Sequence, residues 1–166
     1  MDEDQEGWTL DVHAVLNLQG PRYVSPVPSG GFVVSEECGD VKVFMSSCKL
    51  LCSLSSKYGH QFGNPAGVCV DTDGSILVAD EQRRSVHLFP EHGAPVCLVS
   101  TGLRRPAGMA CSSSGHLFVA DTVENCIKVF KYCVRPPYRP TKAGASCADL
   151  NQSHRWRGGV VPLQPR

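Results

Sequence analysis

The chain has 166 residues, with 16 Lys and Arg balanced by 16 Asp and Glu, so its formal net charge is zero. A neutral chain lacks the overall basic excess of a dedicated polyanion binder, and no run approaches the ~20 apolar residues of a membrane-spanning helix. The length suits one domain with tails.

The charge is unevenly placed. Residues 1–18 carry five acids and no base, residues 19–132 carry ten of each sign, and residues 133–166 carry six bases and one acid. Residues 1–7 are acidic and polar and are expected to be disordered. From Trp8 to Leu18 the alternation of Leu10, Val12, Ala14 and Leu16 predicts a strand.

A phrase is then written three times. It begins at Pro21, Pro65 and Pro106, a spacing of 44 and then 41 residues. The second and third copies run Pro65-Ala66-Gly67-Val68, Gly74-Ser75-Ile76-Leu77-Val78-Ala79-Asp80, Val86-His87-Leu88-Phe89, and Pro106-Ala107-Gly108-Met109, Gly115-His116-Leu117-Phe118-Val119-Ala120-Asp121, Ile127-Lys128-Val129-Phe130. The first copy is worn: Pro21, then Gly31-Phe32-Val33-Val34-Ser35-Glu36, then Val41-Lys42-Val43-Phe44. Self-similarity at this period marks units that cannot bury their own apolar faces and must stack on copies of themselves.

Each copy reads as β-structure. Short runs of Val, Ile, Leu and Phe are bounded by Gly, Asp, Ser or Pro. Asp73-Gly74 and Ser114-Gly115 sit between the first and second runs as hairpin turns. A polar loop such as Asp80–Ser85 leads to the third strand, and fourth runs follow at Leu50–Leu54 and Val96–Val99. Four antiparallel strands in about 40 residues make a propeller blade. Helical periodicity is absent.

Residues 78–89 and 119–130 resemble the signature of the NHL-repeat β-propellers: a Val-Ala-Asp strand end, a six-residue loop and an Ile-Lys-Val-Phe-like strand. Family repeats usually place Arg just before the third strand, where this chain has Ser85 and Cys126, and the first copy has Glu36 in place of Asp. The resemblance implies an all-β partial propeller of about three four-stranded antiparallel blades, near residues 20–56, 64–101 and 105–132, with disordered termini. NHL rings are typically six-bladed, so three blades span half a ring. Two copies related by a two-fold axis are expected to close it, the alternative being an open fragment. The Trp8–Leu18 strand is a candidate outer strand for the third blade, in its own chain or in a partner's.

The resemblance implies a non-catalytic protein-interaction module, of the kind that serves substrate or partner recognition beside tripartite-motif ubiquitin ligases, with ligase chemistry supplied by another chain. Expected contacts come from the blade loops: Glu81, Gln82, Arg83, Arg84, Arg104, Arg105, Glu124 and Asn125. The competing reading is an RNA-binding propeller fragment using the arginine loops and basic tail. The neutral charge of residues 19–132 speaks against that reading.

Nine cysteines are present. The acidic N-terminus lacks the pattern of a secretory signal, so the expectation is a cytoplasmic or nuclear protein with reduced thiols. Only Cys48 and Cys52 approach a paired-ligand spacing, and no His completes a zinc site with them. Cys69, Cys97, Cys111 and Cys126 read as small buried hydrophobes. The six histidines share no repeat position, His87 and His116 read as solvent-facing, and no nucleophile or phosphate-loop motif occurs. Repeated Asp80 and Asp121 are paired carboxylates in form but read as structural turn acids. No metal, cofactor or catalytic residue is expected. In the Pro-rich stretch from Cys133, expected to be a disordered tail, Pro137, Pro140 and Lys142 fit an SH3 ligand. Asn151-Gln152-Ser153 fits a glycosylation acceptor, without meaning in that compartment.

Overall fold

In the computed structural model, residues 9–37 and 39–132 are described. Eleven strands form three antiparallel sheets arranged as blades. The first holds β1 (Pro21–Pro26), β2 (Phe32–Glu36), β3 (Asp40–Phe44) and β4 (Leu50–Ser53) in that order. The second holds β5 (Pro65–Val70), β6 (Ile76–Asp80), β7 (Ser85–Phe89) and β8 (Val96–Val99), again in chain order. The third has β9 (Pro106–Cys111), β10 (His116–Asp121) and β11 (Cys126–Lys131) and, among the described residues, no fourth strand. This is the up-and-down meander that the repeats predict. Gly74 and Gly115 turn the first hairpin of blades 2 and 3 at φ of 79° and 78°.

Stacking follows from burial. Every residue of β6 is buried, because blade 2 has a neighbour on each face. Toward blade 1, Val78 and Ile76 pack with Val33, Val41, Val43, Leu54 and Phe89. Toward blade 3, Leu77 and Ala79 pack with Val86, Leu88, Leu117 and Val119. Blade 3 is covered on one side only. In β10 the pattern alternates, with Leu117 and Val119 buried and Phe118 exposed. In β11, Ile127 and Val129 are exposed on the same outward face, opposite Ala120 and Phe118.

The innermost strands approach closely. β5 lies against both β1 and β9. A Cβ placed on Gly67 would stand 2.1 Å from the Ala107 carbonyl oxygen and 2.8 Å from the Met109 nitrogen, so only glycine permits this spacing. Gly108, its counterpart one blade on, has nothing nearer such a Cβ than Tyr23 Cε1 at 3.8 Å.

Three expectations need correction. Residues 9–18 form no strand: a strand needs a ladder partner, and among the described residues none lies beside this segment. Cys97 and Cys126 are exposed rather than buried, since β8 and β11 lie at sheet edges, while Cys69 is buried and Cys111 half-buried. A short helix, α1 (Leu54–Tyr58), follows β4, capped by the Ser53 side chain and by Gly59 at φ 62°. The expectations for residues 1–7 and the tail from Cys133, including Pro137, Pro140 and Lys142, lie outside the described residues.

Candidate functional site

One acid closes the second strand of each blade and organises the loop around it. Asp80 accepts backbone N–H bonds from Gly63 (2.7 Å), Asn64 (3.1 Å) and Arg83 (3.0 Å). Asp121 accepts from the backbone of Arg104 (2.7 Å), Arg105 (3.1 Å) and Glu124 (3.4 Å). Glu36 accepts from Gln19 N at 2.7 Å, so the longer side chain of the worn copy does the same work. These acids are the structural turn residues that the repeat implies. They tie the entry to the first strand to the loop before the third.

A cation faces the acid from the third strand. Lys42 Nζ is 2.9 Å from Glu36, and Lys128 Nζ is 2.9 Å from Asp121 and 2.6 Å from Glu124, with a further bond to the Gly102 carbonyl. Burial works against the Asp121 charge, but the donors from Arg104, Lys128, Arg105 and Glu124 outweigh it and hold the carboxyl well below the usual carboxylate range. Burial also opposes the Lys128 charge, and Glu124 and Asp121 together raise its pKa above that of an ordinary lysine.

In blade 2 the corresponding residue is His87. It does not face solvent as expected. The segment after α1 folds over it, so that its ring centroid lies 4.9 Å from His60 and 6.5 Å from Phe89. His60 also meets Phe62 (4.6 Å) and Phe89 (5.1 Å), and its Nε2 has no hydrogen-bond partner. Burial lowers the pKa of both histidines, and for His60 the neighbouring His87 and Arg83 lower it further against the opposing pull of Asp80. His116 is half-buried and bonded to Ser114 Oγ at 3.0 Å.

The loops beside these acids form a shallow polar depression of about 470 Å³, lined by Arg22, Glu37, Gly63, Asn64, Glu81, Gln82 and Arg105. Glu81 is its hinge. Its carboxylate takes Arg105 Nε at 2.6 Å from blade 3 and Arg22 at 3.0 Å from blade 1, with Asn64 Nδ2 at 3.2 Å. The arginine contacts, Arg105 first, lower the Glu81 pKa. One carboxylate thus links all three blades.

Of the residues singled out from the sequence, Glu81, Gln82 and Arg105 meet here. Arg83 turns back to its own Asp80, at 3.8 Å. Arg84 and Asn125 occupy equivalent left-handed turn positions at φ 53° and 50°. Glu124 pairs with Lys128, and Arg104 contributes its backbone N–H to Asp121. Asn125 instead lines a second depression, of about 320 Å³, with Thr122, Cys126 and Ile127 on blade 3. Sequence reading missed Arg22, Glu37 and Asn64. Asn64 carried a signal, since it precedes the repeat proline as Arg105 does; Arg22 carried none, because Ala66 and Ala107 hold its place in the other copies.

Among the described residues, no group of three or more His, Cys, Asp or Glu side chains is placed to hold a metal ion. Among those residues, no helix is long and apolar enough to cross a membrane.

Comparison with known proteins agrees with this architecture. The sequence model of the NHL repeat matches residues 62–88 and 103–130. The chain is 56% identical over 119 residues to NHL-repeat-containing protein 4 of Mus musculus, covering 72% of this chain and 88% of that protein. With the Homo sapiens protein of the same name, identity is 53% over 117 residues, covering 70% of this chain and 95% of that protein. It is also 40% identical over 70 residues to the E3 ubiquitin-protein ligase TRIM32 of Homo sapiens, which is 42% of this chain but 11% of the ligase. Among solved structures, the WD40 β-propeller domain of Doa1 is similar in fold, at TM-score 0.55 and 18% identity over 67% of this chain and 36% of that one. Virginiamycin B lyase from Staphylococcus aureus is similar at TM-score 0.52 and 11% identity, over 66% of this chain and 37% of that one. Those two likenesses concern the fold alone. With three meander blades, matched repeats and two relatives of 56% and 53% identity aligned over most of their length, the chain belongs to the NHL-repeat family and forms a partial β-propeller.

Proposed function

We propose that this chain is a protein-recognition module that binds its partners at the depression around Glu81, and that it has no catalytic activity of its own. The observation carrying this reading is the three-blade junction itself. Arg22 from blade 1, Asn64 and Glu81 from blade 2 and Arg105 from blade 3 present charge of both signs on one face and are held there by mutual pairing. Such a surface suits the mixed polar rim of a protein interface. A polyanion would need several free cations, whereas Arg22 and Arg105 are engaged by Glu81 and Arg83 by Asp80. Similarity to TRIM32 supports a setting beside ubiquitin ligases, with this chain contributing recognition. Gln82 extends the same surface, and Arg83, Arg84 and Arg104 border it.

The test is affinity capture with the 166-residue chain and with a Glu81→Arg variant, followed by mass spectrometry. Partners captured by the parent and lost by the variant, with the circular dichroism of the folded chain retained, are the expected result. A partner set that survives the reversal rules this face out. A salt-sensitive RNA mobility shift at low ionic strength would favour the nucleic-acid reading instead.

A further inference from the structure

The segment ahead of blade 1 is already shaped as the exit from an outer strand. Two residues ahead of each repeat proline, Gln19, Gly63 and Arg104 donate their N–H to the blade's acid, each at 2.7 Å. Four residues ahead of Pro21 and Pro106, Asn17 and Gly102 are both left-handed, at φ 65° and 82°. Between them Leu18 is half-buried and Leu103 is buried. Residues 17–20 therefore follow the path by which the chain, after β8, passes from the rim of blade 2 to the inner strand of blade 3. Carrying the position of β8 relative to Pro106 back onto Pro21 places an outer strand at Asp11–Ala14. Yet this stretch has no ladder partner among the described residues, and Leu10, Val12 and Leu16 stand 86%, 77% and 75% exposed.

Blade 3 shows the complementary gap. Blades 1 and 2 have four strands, and its sheet stops at β11 among the described residues, with the outward face of Phe118, Ile127 and Val129 uncovered. We propose that the chain forms a two-fold dimer in which residues 11–14 of each copy add the fourth strand to blade 3 of the other, joining two three-blade arcs into one ring. In the register of β8 on β7, Val12 takes the place of Cys97 and lies opposite Lys128, and Ala14 takes the place of Val99 opposite Ile127. The exposed Val24 on blade 1 then meets the uncovered face of blade 3. Charge favours this occupant. The added strand runs antiparallel to β11 with Asp11 opposite Val129, so the Asp11 carboxylate of one copy is the diagonal neighbour of Lys131 of the other. Exchange of like elements between two copies is a common route to closed dimers.

Gly108 supplies a sharp discriminator. In the ring it stands toward β1 of the second copy as Gly67 stands toward β9, with the Arg22 carbonyl in place of that of Ala107. In a single chain, a Cβ at residue 108 meets only Tyr23 Cε1 at 3.8 Å, an ordinary contact. Gly108→Ala therefore leaves the arc folded and blocks the joint.

The experiment uses the full chain, with mass measured by light scattering during gel filtration over a wide concentration range. A mass of twice 17.9 kDa is expected. Gly108→Ala is expected to raise the dimer dissociation constant by about tenfold or more, as overpacking at an interface does, with unchanged circular dichroism. A photoreactive phenylalanine analogue at position 12 is expected to give a covalent dimer cross-linked to Cys126–Lys131. A chain of single mass, a dimer indifferent to Gly108→Ala, or a cross-link formed within one chain overturns the proposal. The photoreactive variant keeps the test decisive even if Gly108→Ala fails to fold.

Discussion

Asp121 gathers the loops of blade 3 around one carboxylate. It is 1% exposed, takes three backbone donors, and faces a lysine that is itself buried. Removing the carboxylate leaves three N–H groups and much of the Lys128 charge without their partner. Asp121→Ala should therefore cost about 3 kcal/mol, the range for breaking one side of a buried pair, read as a drop in the urea midpoint. Because the folded carboxyl is the stronger acid, its contribution is complete above the unfolded pKa, about 4. It is lost as pH falls through the folded value. The histidine pair acts in a higher window. His60 and His87 both have folded pKa values below the ordinary 6.5 of a histidine, so the unfolded chain takes up their protons first. Stability is full above about pH 6.5 and declines as pH falls below it. A His60→Phe, His87→Leu double variant should flatten the thermal stability profile between about pH 7 and pH 5; an unchanged slope would show that these rings do not titrate on unfolding.

At the scale of strands and loops, close packing of inner strands sets the blade spacing. Gly67→Ala drives a methyl group into the Ala107 carbonyl and should destabilise the chain by about 2 kcal/mol, measured by chemical denaturation. The same substitution one blade later should cost the isolated arc almost nothing, and the pair of measurements separates packing from glycine's backbone freedom. Much of this level was legible in the sequence. Val-Ala-Asp strand ends, Gly-bearing hairpins and the repeat prolines predict the strands of blades 2 and 3, because period-two alternation and turn chemistry are local properties, whereas β1 of the worn first copy is marked by its proline alone. Burial of His87 was not legible, since the segment that covers it comes from the linker between blades. Nor was the role of Arg22, whose repeat counterparts are alanines. Residues 9–18 show the converse: the alternation of a strand is present, and the ladder that would make it one is not.

The whole molecule is an arc with unequal ends. Blade 2 is buried on both sides, whereas blade 3 exposes Phe118, Ile127 and Val129 together. Glu81 bridges the arc on one face by ion pairs to Arg22 and Arg105, and Arg105 is 60% exposed. Pairs of this kind contribute about 1 kcal/mol or less, so the face can be altered for binding studies without unfolding the blades. Hydrophobic contact between sheets, rather than this bridge, holds the arc together.

One bond near the end of the described chain changes how the arc responds to a pull. The Tyr132 hydroxyl donates to Asp71 Oδ2 at 2.8 Å, a buried link spanning 61 residues that fastens the end of blade 3 to blade 2. An edge strand whose last residue is loose unzips one backbone bond at a time. Here, tension applied at residue 132 has to break the phenol's hold on blade 2 before it can peel β11, so the first step of unzipping takes two blades' contacts instead of one.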